Sequence, residues 1–280
     1  MRKKFTDVLK SAQIDFRDEY IRLYRLFNGL IVWDENWENK GTVYDFCRKY
    51  FLAFPLSLRG TCVSLKDFNN VYRFDFPSNP NCVTIDDLIS LCEYTYNLAY
   101  GLKGNCSLVT DEIHYEFCAF YKNQVDFLVE KLGYISNVSG GITDFVPKNP
   151  AAIAVAEIID EDLAYDVIEY NHHSMRGNLL AKKTTLLRFA NLLEPQRSIL
   201  ETINKKLSVN IFFMFNNLDL RHNNSTSGDK NYQQYTEQMT KEDLEAWYDE
   251  LYQMCLLAFL EIDNIERAEK VDVLKKNYKS

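Results

Sequence analysis

The chain has 280 residues, 46% of them hydrophobic and 14% aromatic, which is enough for a folded core in one or two domains. Charged residues make up 26% and sum to a net charge of −8, which argues against a protein that coats DNA nonspecifically through a broad basic surface. The seven cysteines include no C-x-x-C pair; this disfavours zinc ribbons and redox dithiols and reads as reduced, mostly buried thiols in a cytoplasmic protein.

Only 10 glycines and 6 prolines interrupt the chain, so long segments are left to helix. The N-terminus is basic but lacks the apolar core of a signal peptide. No apolar run approaches the ~18–20 residues of a membrane span, so no membrane association is expected. Residues 4–28 repeat Phe16, Tyr20, Leu23 and Phe27 at helical spacing and stop at Asn28-Gly29. Residues 42–53 form a second apolar helical segment. Residues 54–83 hold three of the six prolines and read as irregular, with one short helix after Ser64. Trp33 and Trp37, four apart, would share a helix face and pack in the core or on a partner.

Thr84, with Asp86 and Asp87 in the first turn, opens a helix running to about Tyr100-Gly101. Thr110, followed by Asp111 and Glu112, opens the next, which stops at Gly133 and carries Ile113, Phe117, Tyr121, Val125 and Leu128 on one stripe. Residues 134–147 (YISNVSGGITDFVP) predict a β-hairpin around Gly140-Gly141. That glycine pair matches neither G-x-G-x-x-G nor the phosphate-loop pattern.

The C-terminal half reads as four helices. Asn149-Pro150 opens the first, and residues 177–193 form the second, with Leu179, Leu180, Leu186, Phe189 and Leu193 on one face. The third follows Pro195 and carries Ile199, Ile203, Leu207, Ile211 and Phe215. Thr240 and Asp243 cap the last, with Leu244, Trp247, Tyr248, Leu251, Cys255, Phe259 and Ile262 facing the core. The expected fold is therefore mainly α: an N-terminal helical region over 1–133, a hairpin or linker over 134–148, and a helical bundle over 149–280.

The chemistry-bearing residues sit at helix ends. Arg221 and His222 follow the helix that runs out at Asn216-Asn217. A guanidinium grips phosphate, and an imidazole moves protons near neutral pH, so the pair suffices in principle for metal-free RNA cleavage. Asn217, Asn223 and Asn224 would add hydrogen bonds to phosphate or ribose. Arg and His at a helix C-terminus also complement its dipole and cap free carbonyls. His172, His173 and Arg176 precede the 177–193 helix. If that helix and the next pack antiparallel, the loop holding His172 and the loop holding Arg221 fall at one end and form a shared substrate site. Glu169-x-x-His172 and Asp111-x-x-His114 echo the spacing of di-iron bundles. The second starts with the shorter acid, so no metal or cofactor is expected.

A long helix ending in an Asn-rich turn, then Arg and His, then a final amphipathic helix, resembles the HEPN superfamily over roughly residues 150–270. Members of that superfamily are α-helical, often dimeric, and many are metal-independent RNases of toxin–antitoxin, abortive-infection and other anti-phage defence systems. Their motif is an Arg, commonly followed by a polar residue, with a catalytic His a few positions on. Arg221 matches the Arg and His222 the polar residue, while no His follows downstream. The resemblance implies an endoribonuclease or toxin with Arg221 and His222 as catalytic residues. The alternative is a non-catalytic interaction or sensor protein on a degenerate HEPN-like scaffold. The implied partners are RNA, another protein of the same system, or a second copy in a homodimer.

Overall fold

In the computed structural model, which describes residues 14–34, 39–102, 106–110 and 113–278, the fold is mainly α with small antiparallel sheets. The chain divides into two units between Phe145 and Val146.

The N-terminal unit is organised around the helix Ile85–Gly101, here α4 in a series that begins with α1 (Phe16–Asn28), α2 (Val43–Tyr50) and α3 (Leu65–Tyr72). Thr84 and Asp87 form a capping box at the start of α4, each side chain accepting the other's backbone N–H. Leu88, Ile89, Leu91, Cys92, Leu98 and Ala99 are all buried, so α4 is apolar nearly all round and occupies the centre. Thr42 and Asp45 cap α2 in the same way. A single helical turn, Leu56–Arg59, precedes α3 in the otherwise irregular 54–83 region. α1 ends at Asn28 with Gly29 as its cap, as the sequence predicts; the expected helix over 4–13 falls outside the described residues.

Two expectations fail in this unit. The segment from Thr110 is not a helix start. Strands β3 (Cys106–Thr110) and β4 (Ile113–Glu116) pair antiparallel, Leu108 opposite Tyr115, and the helix α5 begins only at Phe117 and runs to Lys131. The β-branched run satisfies its backbone through the ladder, and Asp111 and Glu112 lie outside the described residues. Trp33 is likewise on a strand, β1 (Ile31–Asp34), which pairs with β2 (Lys40–Thr42) on one side and β3 on the other; Trp37 lies outside the described residues.

The hairpin forms as expected, with β5 (Tyr134–Ser139) and β6 (Ile142–Pro147) joined by Gly140 and Gly141. Both glycines have φ near the left-handed region, 58° and 82°, which a two-residue hairpin turn of this hand requires. The hairpin docks on α4 through side chains that act as a strand partner. Asn97 exchanges two hydrogen bonds with the Thr143 backbone (2.7 and 2.8 Å), and Glu93 accepts the Phe145 N–H (2.8 Å).

The C-terminal unit comprises α6 (Pro150–Ala156), α7 (Glu161–Glu169), α8 (Leu179–Leu193), α9 (Arg197–Asn217), a short turn of helix at Gln234–Glu237, and α10 (Lys241–Tyr278). Asn149 caps α6 by accepting from the Ala151 and Ala152 N–H groups. Thr240 and Asp243 cap α10 reciprocally. The core gathers Leu186, Phe189, Leu193, Leu200, Ile211, Phe215, Leu251, Tyr252 and Cys255.

α9 is not one straight helix. Asn204 has φ −147° and ψ 79°, and its side chain accepts the Leu207 N–H, capping a new helical segment. Arg197 lies over the Phe212 ring at 4.6 Å, whereas 15 residues of straight helix would separate them by ~22 Å. The chain therefore doubles back at Asn204. This phase break explains why Ile199 and Ile203 are exposed while Leu200 is buried. Leu180 and Trp247, both expected in the core, are also exposed.

Among the described residues no helix is long and apolar enough to cross a membrane. Cys47, Cys62, Cys82, Cys92, Cys118 and Cys255 are free thiols, and all but Cys82 are buried.

Candidate functional site

Arg221 stands in a polar loop built by Asn224. Leu218 ends α9, and Asp219 takes a left-handed conformation (φ 58°) that Asp tolerates better than most residues. Asn224 is fully buried. Its side chain accepts the Asp219 N–H (2.9 Å) and donates to the Asn216 and Asn231 carbonyls (3.2 and 2.7 Å). Its own N–H donates to the Asp219 carboxylate, and its carbonyl accepts the Gln233 N–H. Each polar group of Asn224 is engaged within the loop, so it acts as a staple and not as a substrate contact.

The Arg221 guanidinium is held from three sides. Nη2 lies 2.5 Å from Glu194 Oε2 and donates to the Ala190 carbonyl at 3.3 Å. The plane sits over the Phe215 ring at 5.2 Å and the Phe212 ring at 5.8 Å. Ala190 is in the last turn of α8; its carbonyl already accepts the Glu194 N–H, and Arg221 adds a second hydrogen bond to it. Its side chain remains 23% exposed. His222 and Asn223 are exposed beside it. Asn217 donates to the Phe213 carbonyl, and its own carbonyl accepts from Thr236.

A second polar locus lies before α8. His172 is buried, and its Nδ1 accepts the Ser174 N–H (3.2 Å) and lies 2.7 Å from Ser174 Oγ, capping a turn of 3-10 helix at His173–Met175. Its ring is 4.2 Å from that of His173, and Glu169 approaches Nδ1 at 3.7 Å. Arg176 is exposed at the mouth of the cleft that follows.

This cleft, of about 260 Å³, is lined by Tyr170, His172, Arg176, Lys182, Asp249 and Tyr252 among others. Its floor is a buried lysine. Lys182 Nζ lies 2.6 Å from Asp249 and 2.7 Å from Glu245, and sits over the Tyr170 ring at 5.4 Å. Glu245 also accepts the Gly177 N–H. The Lys182 hydrogen bond, reinforced by the Gly177 amide against a smaller desolvation effect, holds the Glu245 carboxyl below the usual range. Tyr170 and Tyr252 stack at 4.0 Å. The Tyr252 hydroxyl donates to the Val167 carbonyl and accepts from Asn171. Burial, and then the Asp249 charge, push the Tyr170 phenol well up, so it stays protonated.

The two loci do not merge. His172 and Arg176 gather with Lys182, in the first turn of α8, whereas Arg221 reaches Ala190 and Glu194 at its other end. From Lys182 to Ala190 is about 12 Å along the helix. The expected shared site assumed that the helix after Pro195 returns straight along its neighbour. The reversal at Asn204 uses up that length, so Arg221 returns only as far as the end of α8.

The residues that sequence reasoning missed are Lys182, Glu245 and Asp249. A signal was present: Lys182 lies four before Leu186 and seven before Phe189, on the buried stripe of α8. A lysine there requires anionic partners, and Glu245 and Asp249 are spaced one turn apart on α10 to supply them. This arrangement clamps α8 to α10 and gives a polar cleft with groups of both signs. No protein-family model matches the chain, and comparisons with curated proteins and with solved structures likewise find no match.

Proposed function

We propose that this chain is a non-catalytic helical interaction or sensor protein on a degenerate HEPN-like scaffold, acting with another protein of a bacterial defence system. The observation that carries this reading is the engagement of Arg221. A phosphate-binding arginine needs a guanidinium free to meet its ligand, and this one is paired with Glu194, hydrogen-bonded to the Ala190 carbonyl and laid over Phe215. Asn224, the best-placed amide, is consumed by its own loop. His172 lines the cleft with Lys182 near the start of α8, while Arg221 meets Glu194 just past its end, which supports a reading without a shared histidine–arginine site.

The second reading is a metal-independent endoribonuclease. It draws on the exposure of His222 and Asn223 beside the open edge of Arg221. There Arg221 would exchange Glu194 for the scissile phosphate, and His222 would carry the proton.

Induced expression in a bacterial host separates the two. Wild type, Arg221→Ala and His222→Ala are compared at equal soluble expression, with total RNA run from each culture. The interaction reading expects intact RNA in all three. Fragmented RNA in wild type that is lost in both variants would overturn it.

A further inference from the structure

We propose that the cleft at the start of α8 binds a small zwitterion, a linear aminocarboxylate whose ammonium enters toward Asp249 and whose carboxylate stays at Arg176. The residues that line the cleft all belong to the C-terminal unit. Its volume of about 260 Å³ is below that of sites for drug-sized molecules, which restricts the ligand to fewer than about ten heavy atoms.

The charges in the cleft are ordered from floor to mouth. The Lys182 ammonium, 5% exposed, stands between the Asp249 and Glu245 carboxylates. Two carboxylates against one ammonium leave one negative charge in excess at the floor. Arg176 sets a positive charge at the mouth. A simple anion would meet the excess negative charge of the floor, and a simple cation would have to pass Arg176. A molecule that carries both charges matches both ends at once.

Two groups at the floor have bonding capacity left. Asp249 gives Oδ1 to Lys182, and its side chain is 50% exposed, so the carboxylate is open to a second donor. Tyr170 is only 5% exposed, and its hydroxyl, buried near Asp249, completes no hydrogen bond among the described residues. A buried hydroxyl in that state is costly and calls for a partner. A ligand ammonium at Asp249 would supply one, donating both to the carboxylate and to the phenol oxygen. The Tyr170 ring is stacked on Tyr252, whose own hydroxyl is fixed by Val167 and Asn171, so the phenol is in place before the ligand arrives. Arg221 lies at the other end of α8, so this ligand is independent of whether the chain cuts RNA.

The test is titration calorimetry of the full chain at neutral pH with a length series of zwitterions: glycine, β-alanine, γ-aminobutyrate and δ-aminovalerate. Butylamine and butyrate, each with one of the two charges, are the controls. The expected result is saturable binding of at least one zwitterion, at least tenfold tighter than either control. Arg176→Gln, at an exposed position, should weaken that binding several-fold with unchanged thermal stability. Asp249→Asn should weaken it at least tenfold, and Tyr170→Phe several-fold. No binding by any of the four zwitterions up to tens of millimolar would overturn the proposal. So would butylamine binding as tightly as the best zwitterion, or an affinity untouched by Arg176→Gln.

Discussion

Arg221 and Glu194 form an ion pair at 2.5 Å that ties the loop after α9 to the end of α8. Glu194 is 47% exposed, so the charge pair alone contributes little. The larger share comes from the Ala190 carbonyl bond and from the guanidinium lying over Phe215. Arg221→Ala should therefore destabilise the C-terminal unit by about 1–2 kcal/mol, a cost that a side chain serving catalysis alone would not carry. Arg221→Lys should recover less than half, because an ammonium lacks the flat face and the fork. Urea unfolding of the three proteins measures this.

Lys182→Met should destabilise the protein by about 2 kcal/mol at neutral pH, since it leaves Glu245 and Asp249 close together without their cation. It should also change the acid limb. The Glu245 carboxyl is held below its ordinary value of 4.5 in the folded state, so its contribution is present above that value and is lost as pH falls through the lower folded value. Wild type should lose stability through this window, and the variant should lose less. Urea midpoints from pH 7 to pH 3 check the slopes; identical slopes would detach Glu245 from Lys182.

Asn224→Ala should be among the costliest single changes in the 218–233 loop, at about 2–3 kcal/mol, because it strands the Asp219 N–H and two carbonyls. Amide exchange at Asp219 and Gln233 should accelerate with little change in the helices. Asn223→Ala, at an exposed neighbour, is the control and should stay within about 0.5 kcal/mol of wild type.

In the N-terminal unit, Gly101→Ala should cost about 1–3 kcal/mol by overpacking. A Cβ there would stand 2.8 Å from the Phe54 ring and 2.9 Å from Leu58. Thermal unfolding checks the loss, and Phe54→Leu in the same background should restore part of it.

Much of the architecture was legible because it is written locally. Thr84 with Asp87, Thr240 with Asp243, and Asn149 before Pro150 each mark a helix start within four residues, and all three cap as read. Gly140-Gly141 fixes the hairpin in the same way. What was not legible depends on distant partners. Trp33 sits on a strand because Ser107 pairs with it, and Thr110 ends a strand because Ile113 lies opposite. The reversal at Asn204 hid inside an apolar periodicity that continued through it. Its side chain caps Leu207 and donates to Glu261, 57 residues away. That one residue decided the site: with a straight helix, Arg221 and His172 would have shared an end of the bundle. Lys182 was passed over because a lysine in a helix ordinarily faces water.

The most direct test incubates purified wild type, Arg221→Ala and Glu194→Ala with structured RNA in the presence of chelator. Glu194→Ala frees the guanidinium from its carboxylate, so a masked phosphate site would be exposed. An Arg221 that is structural predicts intact RNA in all three reactions and reduced stability in both variants. RNA cleavage that depends on Arg221, and that rises when Glu194 is removed, would contradict the account and establish the ribonuclease.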